Sequence, residues 1–278
     1  MSTQRERQAL WIFFVVAFGI PWPLWTIAFV LDRVSAATAR WFFFSGVACS
    51  VAGLLATVWA NGLGGCASLL ARAVRFAVSP RWWLFVLLAP LGWALASAFI
   101  WAALRGPIGP VAPSAVADFY LSRAVLLVLL LGPIGEEFGW RGFLLPRMLA
   151  GRSNLAAALV TGLIWAVWHA PLYYDRAVAS ATWAIAFIVG VMCFSVLIAL
   201  VYLRTGSLLL AIVFHFTINS AQDVVGALFP ALDLREPLFV LVSTVLLIAG
   251  TIAASPALNA TSRDRIFPAA DRDSCAAP

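Results

Sequence analysis

The chain has 278 residues, of which 63% are hydrophobic and 11% charged, with a net charge of +6 and a mean hydropathy of +0.98. A water-soluble domain of this size needs roughly a quarter of its residues charged to cover its surface. The composition excludes a soluble globule, and the apolar content equally excludes a disordered or fibrous chain, leaving a polytopic, all-α transmembrane helix bundle in a single integral membrane domain.

Eight apolar runs follow in chain order, at residues 10–31, 41–60, 82–104, 124–145, 155–172, 183–203, 207–229 and 237–254. Each is near the roughly 20 residues that cross a hydrocarbon core as a helix. None alternates apolar and polar residues as the strands of a membrane barrel do. The first run follows Arg5 and Arg7 and is expected to bend at Pro21 and Pro23. Ala37-Thr38-Ala39 loosely resembles a signal-peptidase site. The run before it exceeds the roughly 7–15 residues of a signal h-region, so an uncleaved first span is expected.

All 18 basic residues are arginines, spread singly or in pairs between the runs. They read as topology signals and head-group anchors, not as a nucleic-acid footprint. With the N-terminus inside, the inner segments carry eleven arginines and the outer ones six. That asymmetry places both termini in the cytoplasm. The Arg-only, Ala-rich usage points to a GC-rich bacterial genome, and so to the bacterial cytoplasmic membrane. Cys49, Cys66, Cys193 and Cys275 lack metal-type spacing and read as free thiols.

Residues 255–278 read as a polar, flexible tail. The tail ends Cys275-Ala276-Ala277-Pro278, formally a C-a-a-X box; its last residue is atypical for prenylation and nothing upstream is polybasic, so the match reads as coincidence. There is no phosphate loop or dinucleotide fingerprint, which argues against ATP- or NAD-driven chemistry.

The informative residues are the ionisable ones inside apolar runs. Glu136, Glu137 and Arg141 interrupt the fourth run, and the two histidines, His169 and His215, fall in the fifth and seventh. Asn219 follows His215 by four. Each ion at mid-membrane costs about 2.5–3.5 kcal/mol on insertion scales, so such a group asks for a functional reason. Helix geometry sorts them. Glu137 and Arg141, four apart, share a face and can pair, whereas Glu136 points about 100° away. Gly135, Gly139 and Gly142 form a small-residue ridge for close helix contact. Glu137 and Arg141 are therefore expected to support the site and Glu136 to perform chemistry. The Gly132-Pro133-Ile134-Gly135 stretch is expected to loosen the helix and admit water or a peptide.

These groups suit peptide hydrolysis. A carboxylate surrounded by low dielectric can act as a general base, a nearby His can share water activation, and a His/Asn pair can stabilise an oxyanion. Neither Gly-x-Ser-x-Gly nor His-Glu-x-x-His is present. Glu136, His169 and His215 could instead bind one Zn²⁺ with an open position for water. The residues alone leave direct acid–base and metal-assisted catalysis both open. Each pair also has a plainer reading, as a buried ion pair or as interhelical glue.

At these positions the sequence resembles the CPBP family of CaaX proteases and bacteriocin-processing proteins, also called the Abi or type II CaaX-prenyl endopeptidase family. Its motifs E-E-x-x-x-R, F-x-x-x-H and H-x-x-x-N/D read here as Glu136-Glu137-Phe138-Gly139-Trp140-Arg141, Trp165-Ala166-Val167-Trp168-His169 and His215-Phe216-Thr217-Ile218-Asn219. The resemblance covers a catalytic core at residues 124–225. Trp165 stands where the motif has Phe, a change expected to alter pocket shape more than chemistry. The resemblance implies an intramembrane endopeptidase acting on a membrane-embedded or membrane-associated peptide or protein. In it Glu136 is the base, His169 assists, and His215 and Asn219 hold the oxyanion. Members are also described as metalloproteases; the glutamate scheme needs no metal and is the one favoured here. Two other readings compete, a proton-coupled membrane transporter and a non-catalytic immunity or adaptor protein of the same fold.

One tension follows from geometry. At about 1.5 Å per residue His169 lies roughly 7–9 Å deeper than the other groups. The fifth span must therefore tilt, start deeper or have other bounds for one site to form.

Overall fold

Runs free of helix breakers become long helices, and prolines and glycines set where the chain turns. The computed structural model describes residues 3–30, 45–122, 125, 130–264 and 266. Every regular element among them is helical. The signal-peptidase-like stretch, Arg33, Arg40, Arg123, Arg265, Arg272 and the Cys275–Pro278 end lie outside the described residues.

Helices α1 (Thr3–Gly19) and α2 (Pro21–Val30) form one run broken ahead of Pro21, where proline removes a backbone donor. Helix α3 spans Ala48–Ala73, α4 Pro80–Arg105 and α5 Pro113–Leu121. The segment 130–148, termed α6, is a broken helix. It runs through a wide π-type turn at Leu130–Ile134, a single α-turn at Gly135–Glu137, a second wide stretch at Phe138–Leu144 and a short turn at Leu145–Met148. Then come α7 (Asn154–Trp168), α8 (Tyr174–Ala179), α9 (Ala181–Thr205), α10 (Leu208–Leu228) and α11 (Pro237–Asn259).

Side-chain caps start the later helices: Ser153, Ser180, Ser207 and Glu236 each accept a hydrogen bond from the backbone N–H three residues on. Gly206, at φ 65°, closes α9 in the left-handed conformation and lets Ser207 open α10 directly.

Among the described residues, six helical runs are long and apolar enough to cross a membrane: Gln4–Ile27, Ser45–Ala73, Pro80–Arg105, Ala181–Thr205, Leu208–Leu228 and Pro237–Asn259. The architecture is an all-α polytopic bundle. The expected fourth and fifth runs differ from the other six. The fourth is α6, whose wide turns follow from Gly132 and Pro133. The fifth, α7, has 15 residues, about 22 Å of helix, shorter than a hydrocarbon core of about 30 Å. The second run also departs from expectation, continuing to Ala73. It kinks at Gly62, whose φ of 68° and ψ of −172° are non-helical, just past the end expected at residue 60; beyond the kink Leu69 packs on α6 and Arg72 donates to the Tyr202 hydroxyl at 3.1 Å.

Residues 255–264 differ from the expected flexible tail. Helix α11 extends to Asn259, and Arg263 donates to Asn154 Oδ1 and to the Leu149 and Arg152 carbonyls. One end of the bundle thus gathers arginines against helix ends, with Arg147 on Glu6 at 2.9 Å and Arg204 on the Ala257 carbonyl. Large apolar side chains such as Trp11, Leu63, Leu88 and Ile252 face outward, as lipid contact requires.

Helix α3 and α6 touch at backbone distance. A Cβ built on Gly53 would lie 2.6 Å from the Phe138 carbonyl oxygen, and one on Gly139 would lie 2.5 Å from that of Cys49. A Cβ on Gly142 would meet Leu69 at 2.8 Å. Gly139 and Gly142 of the expected ridge therefore both face α3. The carbonyls freed by the wide turns find partners on the same helix, Ser50 Oγ on Ile134 and Cys49 Sγ on Glu136.

Candidate active site

Glu136 and Glu137 sit on the one α-helical turn between the wide turns of α6, and both are buried. Adjacent on that turn, they diverge. Glu137 Oε1 accepts from Arg141 Nη1 at 2.7 Å, the expected pair four residues apart. The same oxygen takes a bond from His215 Nδ1 at 2.8 Å, which sequence spacing did not foretell. The Arg141 guanidinium lies 4.6 Å from the centre of the Trp165 ring, a cation–π contact away from water.

Glu136 has no charged partner of this kind. Its Oε2 accepts from Trp140 Nε1 at 3.1 Å and from Trp165 Nε1 at 2.5 Å. Its other oxygen faces the notch left by Gly132. A Cβ built on Gly132 would lie 3.2 Å from Asn219 Nδ2, 3.9 Å from Glu136 Oε1 and 4.0 Å from His215 Nε2. Three of the four expected site residues thus converge where this glycine has no side chain.

His169 caps the C-terminus of α7 and does not lie inside a span. The run expected to reach residue 172 ends at Trp168, where the chain turns into α8. His169 Nδ1 bonds the Trp165 carbonyl at 2.9 Å. A carbonyl only accepts, so Nδ1 carries the proton and Nε2 presents a lone pair when the ring is neutral. His169 stacks on Tyr173 and meets Trp165 at 6.0 Å between ring centres, while Trp165 meets His215 edge-on at 5.0 Å. Trp165 therefore lies against both imidazoles, the arginine and the free carboxylate.

These groups line a cavity of about 1070 Å³ that includes Gly132, Glu136, His169, His215 and Asn219. Its walls are apolar, from Phe187 and Phe194 of α9 and Phe239 and Leu247 of α11, and its exposed rim carries Arg176, Asp223 and Arg235. The back wall leans on the N-terminal run: Trp168 Nε1 donates to the Ala17 carbonyl, Trp22 Nε1 donates to the Trp168 carbonyl, and Trp25 lines the cavity.

Among the described residues no three His, Cys, Asp or Glu side chains group closely enough to hold a metal ion. Glu136 Oε2 takes two N–H groups and both histidine Nδ1 atoms are bonded elsewhere, which leaves Glu136 Oε1 and the two Nε2 atoms as the donors that a metal would use.

Sequence reasoning missed Gly132, Trp140 and Trp165 as parts of the site. Trp140 was visible as the residue four after Glu136. The long-range bond of Trp165 had no sequence signal beyond its place in the motif. Beyond the change of pocket shape expected of it, its indole N–H, which Phe lacks, reaches the Glu136 carboxyl.

Residues 118–221, which contain all of these groups, match the family described as type II CAAX prenyl endopeptidase Rce1-like. A curated relative, CAAX prenyl protease 2 of Methanococcus maripaludis, is 31% identical over 110 residues. That stretch covers 37% of this chain and 41% of the relative, less than half of its length.

Proposed function

We propose, from the match of residues 118–221 to the type II CAAX prenyl endopeptidase, or CPBP, family, that the chain is an intramembrane endopeptidase of that family acting on a membrane-associated peptide or protein, with Glu136 as its general base. The observation that carries this reading is the grouping of Glu136 Oε1, His215 Nε2 and Asn219 Nδ2 around Gly132, in a cavity with apolar walls and a polar rim.

In this scheme a water molecule held near Glu136 Oε1 gives that oxygen a proton as its own oxygen adds to the scissile carbonyl carbon. The carbonyl oxygen becomes the oxyanion, and Asn219 Nδ2–H donates to it. His215 Nδ1–H is committed to Glu137, so His215 can donate from Nε2 only when its ring carries both protons. His169, with its proton on Nδ1, accepts from the attacking water through Nε2. Glu136 then returns its proton to the departing amide nitrogen as the C–N bond breaks, leaving a new carboxyl and a new amine.

The cavity draws on the C-terminal parts of α7 and α10 and the N-terminal parts of α9 and α11, all at one end of the bundle. That arrangement supports a site approached from one side over a transporter path open by turns to both.

The test compares membrane peptidomes of cells expressing the wild type and Glu136→Gln, followed by assay of the differing peptides with liposome-reconstituted protein. Peptides cut only by the wild type are expected. Identical peptidomes, together with equal reconstituted activity, would overturn the enzyme reading in favour of a non-catalytic adaptor or immunity protein.

A further inference from the structure

Resting on that reading, we infer that Trp140 and Trp165 are positioning residues that pin Glu136 Oε2 and confine the transferred proton to Oε1. Two indole N–H groups from different elements, one on α6 and one on α7, converge on a single carboxyl oxygen inside the protein. An indole nitrogen donates and never accepts. Oε2 is therefore an acceptor in both protonation states of Glu136, and when the carboxyl is neutral its hydrogen sits on Oε1. That is the oxygen beside Gly132, within reach of the groups that meet the substrate. A base that first takes a proton and then returns it needs both transfers at one oxygen, and the clamp supplies this.

The choice of tryptophan is physical. Both donors are uncharged, so they orient the carboxylate without neutralising it, unlike the Arg141 guanidinium on Glu137. The Trp165 ring is itself fixed from several sides. Arg141 lies over its face, His215 stands edge-on, and the backbone carbonyl of the same residue holds His169 Nδ1. Trp140 is held among Phe13 and Trp168, with ring centres at 5.7 Å from each. A carboxyl between two such rings has one rotamer available, with its bonded oxygen turned inward.

The experiment removes the N–H and keeps the shape. β-(3-Benzothienyl)alanine incorporated at position 165 replaces the indole N–H by sulfur; Trp165→Phe and Trp140→Phe do so with smaller rings. A hydrogen bond to a charged group accounts for roughly tenfold or more in rate, so each variant is expected to lose about that factor in kcat with KM nearly unchanged. An isosteric variant with wild-type kcat, beside an inactive Glu136→Gln, would overturn the clamp while leaving the enzyme reading intact. A second readout does not depend on turnover. In ¹⁵N-indole-labelled protein, Glu136→Ala is expected to move the Trp140 and Trp165 side-chain N–H resonances while the Trp101 resonance, whose N–H bonds Glu236 and which does not line the cavity, stays put. Unmoved Trp140 and Trp165 signals would overturn the clamp whatever the activity.

Discussion

Two pockets lie back to back on one turn of α6, and their contrast explains the site. Around Glu137 every contact is ionic or ionisable, with Arg141 at 2.7 Å and His215 at 2.8 Å on the same oxygen. Around Glu136 the donors are two neutral indoles, and one oxygen is left for the cavity. Paired and enclosed, the first carboxylate holds helices α6 and α10 together. Oriented but left uncompensated, the second can exchange a proton. In the proposed scheme, adjacent identical residues take opposite jobs because a helix turns about 100° between them.

The contrast breaks most visibly at Glu136. Glu136→Gln keeps an oxygen that accepts from both indoles but removes the base. Turnover is expected to fall by roughly 10³-fold or more, with the melting temperature close to that of the wild type. Initial rates and thermal melts on the same liposome preparation check this; a comparable loss of fold would merge the two pockets into one structural role.

Arg141→Met reads the other pocket. It strands a buried carboxylate and is expected to destabilise the protein by about 3–5 kcal/mol, seen as a lowered melting temperature. Combining it with Glu137→Gln should restore part of the loss. A variant that melts like the wild type yet has lost turnover would move Arg141 out of the structural pocket.

The notch between the pockets is probed next. Asn219→Ala is expected to lower kcat by about 10²-fold, in the range of one oxyanion donor. Gly132→Ala puts a methyl group 3.2 Å from the Asn219 amide nitrogen, and a similar kcat loss with little change in melting is expected. Unchanged kcat in Gly132→Ala would show that the reacting atoms lie elsewhere.

The smallest effect is expected at the start of α11, where Glu236 caps the helix. The Trp101 N–H at 2.7 Å, with lesser help from the α11 backbone and Arg105, holds this carboxyl below the usual carboxylate range. A depressed folded value stabilises the protein above the ordinary carboxylate range, and that contribution is lost as pH falls through the folded value. The melting difference between wild type and Glu236→Gln should therefore be present at neutral pH and shrink on acidification. A difference independent of pH would assign the cap to packing alone.

Much of this was legible in the chain. Apolar length gave eight candidate runs, and six of them are helices long and apolar enough to cross a membrane among the described residues, because burial against lipid demands continuous hydropathy. The spacing of Glu137 and Arg141 gave their pair, because residues four apart share a helix face. The break at Gly132 and Pro133 was equally readable. Hidden were contacts set by packing between distant elements: His215 on Glu137, Trp165 on Glu136, and the open point beside Gly132. The early end of α7 was hidden too, since hydropathy continues past Trp168 while the chain turns to bring His169 into the cavity.

The most direct test of Glu136 as a base is a single turnover in H₂¹⁸O, followed by mass spectrometry of product and protein. Direct water attack places one ¹⁸O in the new C-terminal carboxyl and none in Glu136. Label recovered in the Glu136 side chain would mean that this carboxylate attacks the peptide itself, and would contradict the account.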